Sequence, residues 1–261
     1  MLFADWVLEE VPKAFGSFHW ICLFICLISC IFFYLLAKKR TNKKDFIVIT
    51  VVISLLIASE IYKQVFHYSL SGKYNWGAFP FQLCSVPMYL GIINLFLKEG
   101  KIRDAIYRFM AYTGIIGGAV MMIVADHVLG KYGIMNIHTM FWHTSLLSLG
   151  IYIIKARGYG KNILKETISP AIILAIVVVI AVILNFILHE PALKNNVGVS
   201  LISLSYYTTN YPLILDSIFK IVPYPIYVLI VYTLLYLSMP LVTSITYLIR
   251  LIYSKIKALR N

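Results

Sequence analysis

Seven apolar runs of about 20 residues, the length that crosses a bilayer as a helix, restrict what this 261-residue chain can become. They fall near 17–37, 45–67, 79–97, 104–125, 138–155, 167–188 and 222–249. The loops between them give an orientation. Lys38, Lys39, Arg40, Lys43 and Lys44 follow the first run; Lys98, Lys101, Arg103 and Arg108 surround the third gap. Lys155, Arg157, Lys161 and Lys165 fill the fifth gap, and Arg250, Lys255, Lys257 and Arg260 lie at the C-terminal end. That places 17 of the 23 basic residues on one side, so the positive-inside rule predicts an outward N-terminus and a cytoplasmic C-terminus. The expected fold is an all-α, polytopic membrane bundle of about seven helices, a single domain over 1–261 in a cell membrane.

Composition agrees. Hydrophobic residues make up 61% and charged residues 13%, against about 25% charged in soluble domains. The net charge of +12 raises nucleic acid as a partner, but no basic stripe with interleaved aromatics supports it. The partners implied are membrane lipids, and the oligomeric state stays open. The first 16 residues carry Asp5, Glu9 and Glu10, which does not resemble a cleavable signal peptide. Cys22, Cys26 and Cys30 recur every four residues on one helix face, where small packing residues are expected. Gly114 and Gly118 form a GxxxG step, read either as internal helix packing or as a dimer seam.

Polar side chains then acquire a depth. Glu60, Lys63, Gln64 and His67 form one stripe on the outer third of the second helix. Gln82 and Cys84 sit in Pro80-Phe81-Gln82-Leu83-Cys84-Ser85-Val86-Pro87. His19, His138 and His143 also fall on the outer side, as do Asn185, His189, Asn210, Tyr211 and Asp216. The inner halves of the helices hold almost no such residues, which implies an outward-facing polar cavity. Intramembrane polar groups are costly and tend to mark function. The segment from His189 to Ile221 is a candidate cover.

Cys84 brings chemistry that a simple cavity does not need. With Pro80 in the first turn of helix 3, Cys84 lies about one turn from the helix N-terminus, where the macrodipole favours thiolate. Pro87 then kinks the helix beside the thiol. The plainer reading is a buried inert thiol. His143, at similar depth on another helix, is the preferred proton acceptor for a Cys84 nucleophile. His138 is expected to contact a headgroup or to be solvated. Glu60 either orients an imidazole or pairs with Lys63. No HExxH or comparable spacing is present, so neither a metal nor another cofactor is expected.

The chain resembles the YwaF-type bacterial integral membrane proteins, a family with a distant vertebrate relative that acylates lysophospholipids to form ether phospholipids. The resemblance is carried by Gly16-Ser17-Phe18-His19, Ala58-Ser59-Glu60, Phe79-Pro80-Phe81-Gln82-Leu83-Cys84-Ser85 and Gly117-Gly118-Ala119. It continues in His138…Phe141-Trp142-His143, Asn185 and Asn210-Tyr211. It implies a membrane acyltransferase or transacylase with an acyl-cysteine intermediate, Cys84 matching the family cysteine and His143 the histidine. Gln82, Glu60, His138, Asn210, Tyr211 and His19 are then the expected substrate-binding residues. The alternative from another class is a non-catalytic binding or transport protein using the same cavity. A third, a structural subunit of a membrane complex, leaves the polar cluster without a purpose.

Overall fold

The computed structural model describes residues 7–38, 40–194 and 224–258. Among them the chain forms seven α-helices: α1 Ser17–Leu36, α2 Asn42–Ser71, α3 Val86–Phe96, α4 Lys101–Ile123, α5 Gly133–Arg157, α6 Ile163–Lys194 and α7 Tyr224–Ala258. Six include stretches long and apolar enough to cross a membrane. The protein is therefore a multi-pass helical membrane bundle. The end that carries the basic loops is called the inner end below.

Local chemistry sets the helix limits. Thr41 caps α2, its hydroxyl accepting from Lys44 N at 3.1 Å. Gly72, at φ 64°, ends α2 in the left-handed region that glycine enters at little cost. Gly158, at φ 65°, ends α5 in the same way.

The GxxxG step packs inside the bundle. A Cβ at Gly114 would stand 2.7 Å from the Leu146 carbonyl oxygen, and one at Gly118 would stand 2.8 Å from that of His143. From α5, a Cβ at Gly150 would meet the Ala111 carbonyl at 2.7 Å. These glycines let α4 and α5 touch backbone to backbone, making the most extensive helix pair of the bundle. Around it Ile53, Leu56, Met110, Tyr112, Leu146 and Leu149 form the core, α1 lies on the outside of α5, and α6 and α7 cover α4. Cys22, Cys26 and Cys30 face inward in a small apolar cluster with Met122 and Met140, which fits packing.

The third helix departs from expectation. It begins at Val86, with Ser85 as N-cap and Pro87 in the first turn. Pro80 does not start it, and Pro87 does not kink it. At 1.5 Å per residue α3 is only about 16 Å long, half the hydrocarbon thickness. The segment before it is irregular apart from one 3-10 turn at Trp76–Ala78. Backbone of that kind is tolerated at membrane depth only where protein or a water-filled cavity satisfies it. Three side chains do so. Gln64 Nε2 donates to the Ala78 carbonyl at 2.7 Å, Tyr89 Oη to that of Pro80 at 2.7 Å, and Trp142 Nε1 to that of Cys84 at 3.2 Å.

Candidate functional site

The segment from Trp76 to Ser85 opens with a 3-10 turn packed on α2 and α6 and brings Cys84 to Trp142 of α5. Cys84 sits two residues before the first residue of α3, not inside the helix. Its thiol is partly buried against the main core and lies 3.7 Å from Gln82 Oε1, to which it donates. The Trp142 bond to its carbonyl fixes the cysteine backbone against α5, one residue before His143.

Beside it lies a buried polar cluster. Glu60 is 6% exposed, and its Oε1 accepts from Gln64 Nε2 at 2.7 Å and pairs with Lys63 Nζ at 2.9 Å. The ion pair anticipated for Glu60 is therefore formed. His138 stacks on Trp142 with ring centroids 5.8 Å apart, and it lies near enough to Glu60 and Lys63 to sense both charges. Cys84 senses the same two charges. Four buried polar atoms here have no hydrogen-bond partner among the described residues: Glu60 Oε2, Gln64 Oε1, His138 Nε2 and His143 Nδ1. Buried polar atoms without partners are few in native proteins and call for an explanation, such as a water, an ion or a ligand.

The two predicted catalytic side chains are not hydrogen-bonded to each other. The sulfur contacts Gln82, and the buried His143 ring, 6% exposed, lies close to His138. What brings them into one region is the Trp142–Cys84 bond. His19 serves the fold instead. It is fully buried, its Nδ1 accepts from Phe15 N at 2.8 Å, and its Nε2 meets the Met122 carbonyl at 2.7 Å. Both ring nitrogens are occupied, which leaves none for a ligand. Asn210, Tyr211 and most of the expected 189–221 cover lie outside the described residues.

The inner end corrects the expectation that it holds few polar groups. Asp45, 1% exposed, accepts from Arg40 Nε at 2.6 Å and Tyr152 Oη at 2.8 Å, and Arg157 Nε lies 3.6 Å away. Arg157 also binds Glu99 in two-pronged fashion at 2.9 and 3.1 Å and lies over the Tyr107 ring. A second group joins Arg108 to Asp104 and to Ser169 Oγ, and Tyr159 Oη to Asp104 Oδ1 at 2.6 Å. Burial first, and the Asp104 carboxylate second, push the Tyr159 hydroxyl above its ordinary range. Glu166 accepts from the backbone N–H groups of Gly160, Lys161 and Asn162. In the sequence these residues look like ordinary basic-loop flanks. The available signal was that Asp45, Glu99, Asp104 and Glu166 sit among those basic residues.

Among the described residues no group of three or more His, Cys, Asp or Glu side chains is arranged to hold a metal. Comparison with curated proteins and with solved structures finds no match. A family model does match, over residues 14–243, which takes in every helix described here to beyond the middle of α7. The chain belongs to the TMEM164 family.

Proposed function

We propose that the protein is a membrane lipid acyltransferase or transacylase working through Cys84. The single observation that carries this reading is the Trp142–Cys84 bond, because it holds the thiol at the outer end of the histidine-bearing helix. The resemblance to YwaF-type proteins and their lysophospholipid-acylating relative points the same way. In the reaction, His143 accepts the thiol proton and Cys84 sulfur attacks the ester carbonyl of a phospholipid. The carbon–sulfur bond forms, the ester carbon–oxygen bond breaks, and the proton passes from His143 to the leaving lysolipid alkoxide. A second lysolipid hydroxyl, or water, then gives its proton to His143, attacks the thioester and restores the thiol. This chemistry requires the His143 ring to come within hydrogen-bond reach of the Cys84 sulfur, which here rests on Gln82 Oε1.

The test is intact-mass analysis of purified protein after incubation with phospholipid and an acid quench. An added acyl mass that Cys84→Ala abolishes is expected. No adduct, together with unchanged lipid exchange in Cys84→Ala, rejects the proposal.

A second reading, a non-catalytic binding or transport protein, is favoured by the partnerless oxygens of Glu60 and Gln64 beside His138. It requires that Cys84→Ser keep function and Glu60→Gln lose it. The acyl-transfer reading requires loss in Cys84→Ser.

A further inference from the structure

The outer polar cluster is short of donors. Glu60 Oε1 is used twice, by Gln64 Nε2 and by Lys63 Nζ, while Oε2 is buried without a partner. Gln64 spends both amide hydrogens, one on Glu60 and one on the Ala78 carbonyl, and its buried Oε1 is left over. The His138 ring bonds to the Ser59 backbone. Its Nε2 has no partner among the described residues, so that bond uses Nδ1. An uncharged ring with its proton on Nδ1 offers Nε2 as a lone pair.

Glu60 Oε2, Gln64 Oε1 and His138 Nε2 can therefore only accept. Buried acceptors left over in one cluster call for an occupant that donates. Charge decides which kind. Lys63 Nζ, 2.9 Å from Glu60, already balances its carboxylate. An ammonium group would add an unmatched positive charge, and a phosphate would face a row of acceptors. Both are costly away from water. Hydroxyl groups supply the donors without a charge. Their oxygens can in turn accept from Lys63, whose ammonium carries three N–H groups and turns one to Glu60.

We propose that Glu60, Lys63, Gln64 and His138 bind a neutral polyol, a glycerol or sugar unit, at the outer end of the bundle. The proposal rests on the outer cluster being the binding site, which both readings above share, and it adds the chemical class of what is bound. Cys84 lies close enough to sense the charges of Glu60 and Lys63, so the bound unit sits beside the thiol. On the acyl-transfer reading it belongs to the lipid that reacts there. On the second reading it is the solute itself. A lipid headgroup and a free polyol present the same hydroxyls, and the experiment separates them.

Two measurements on the full chain test this. The first is native mass spectrometry of protein released from nanodiscs with equal amounts of phosphatidylcholine, phosphatidylethanolamine and glucosyl diacylglycerol. The glucosyl lipid is expected to be retained in preference to the two ammonium-bearing lipids. His138→Phe keeps a ring to stack on Trp142 and leaves every charge in place. It should lower that preference about threefold to tenfold, the worth of one neutral hydrogen bond. Glu60→Gln should lower it about tenfold or more, as for a bond to a charged group. The second measurement titrates methyl glucoside into protein in phosphatidylcholine nanodiscs and reads the thermal midpoint. A rise in wild type that His138→Phe abolishes is the response expected of a free polyol.

Retention of the glucosyl lipid alone identifies a headgroup as the source of the hydroxyls, and a response to methyl glucoside alone identifies a free solute. Equal retention of all three lipids with no response to methyl glucoside overturns the proposal. So does a preference for the ammonium-bearing lipids, or a wild-type preference in His138→Phe. That variant leaves the Glu60–Lys63 pair intact and keeps the test decisive if Glu60→Gln fails to fold. Acyl adducts on Cys84 without any polyol preference leave the acyl-transfer reading standing and reject this one. Polyol binding without adducts does the reverse.

Discussion

Trp142 donates its indole N–H to the Cys84 carbonyl across 3.2 Å, linking residues 58 apart in the chain. Removing the donor while keeping an aromatic ring isolates this bond. Trp142→Phe leaves a ring to stack on His138 and leaves the Cys84 carbonyl without its donor. A loss of about 1–3 kcal/mol is expected for an orphaned buried carbonyl. It should be read as a lower thermal midpoint in detergent together with faster alkylation of Cys84. Wild-type behaviour in both assays refutes the latch.

Glycine packing of α4 on α5 predicts a graded series. Gly118→Ala and Gly150→Ala each place a methyl 2.7–2.8 Å from a backbone carbonyl oxygen, so the helices must move apart. Overpacking of this kind costs typically 1–3 kcal/mol. Gly117→Ala, with nothing among the described residues within 4 Å of its Cβ, should leave the thermal midpoint unchanged. Equal effects at positions 117 and 118 contradict the packing described.

At the inner end, Asp45→Asn keeps the volume and removes the charge that Arg40, Arg157 and Tyr152 share. Breaking one side of a buried ion pair is strongly destabilising, about 3–5 kcal/mol. The lower end of that range is expected because Arg157 retains Glu99 and Arg40 is one-third exposed. Folded yield and thermal midpoint report it, and a midpoint equal to wild type counts against the network.

Glu99 gives the stability a pH dependence. The hydrogen bonds from Arg157 hold its carboxyl below the ordinary value. A depressed folded-state pKa stabilises the native form above the unfolded value, about 4.3 for Glu. That contribution is lost as pH falls through the lower folded value. Thermal midpoints taken at decreasing pH should therefore fall less steeply in Glu99→Gln than in wild type. The effect is small, since Glu99 is 45% exposed and solvent screens it. Parallel curves for the two proteins exclude this contribution.

Much of the fold was legible in the sequence because hydrophobic length and loop charge act locally. Helix ends at Leu36, Phe96 and Ile123 lie within a few residues of those expected. The start of α3 was not legible. Pro80 and Pro87 are equally suited to a first helical turn, and choosing between them requires the donors that reach the Ala78, Pro80 and Cys84 carbonyls. Those donors are Gln64, Tyr89 and Trp142, two of them on other helices. The same limit hid the inner network. Asp45 and Arg157 stand 112 positions apart, and no spacing rule connects them. Glu60 and Lys63 were easier to pair because they neighbour each other on one helix face. His19 looked like a site residue by depth alone, and only its two long-range partners reveal a fastening role.

The backbone contact between α4 and α5 has a bearing on how a lipid gets in. Where carbonyls of Ala111, His143 and Leu146 abut glycine, backbone meets backbone and little side-chain cushion is left between the helices. Sliding or parting them would unzip the whole seam at once. The pair therefore forms a rigid door-frame that includes the turn bearing His143. Movement is left to the leaves hung on that frame: α6 and α7 on one side, and the short α3 with its irregular lead-in. On the proposed acyl-transfer reading, a lipid would enter and leave along that flank.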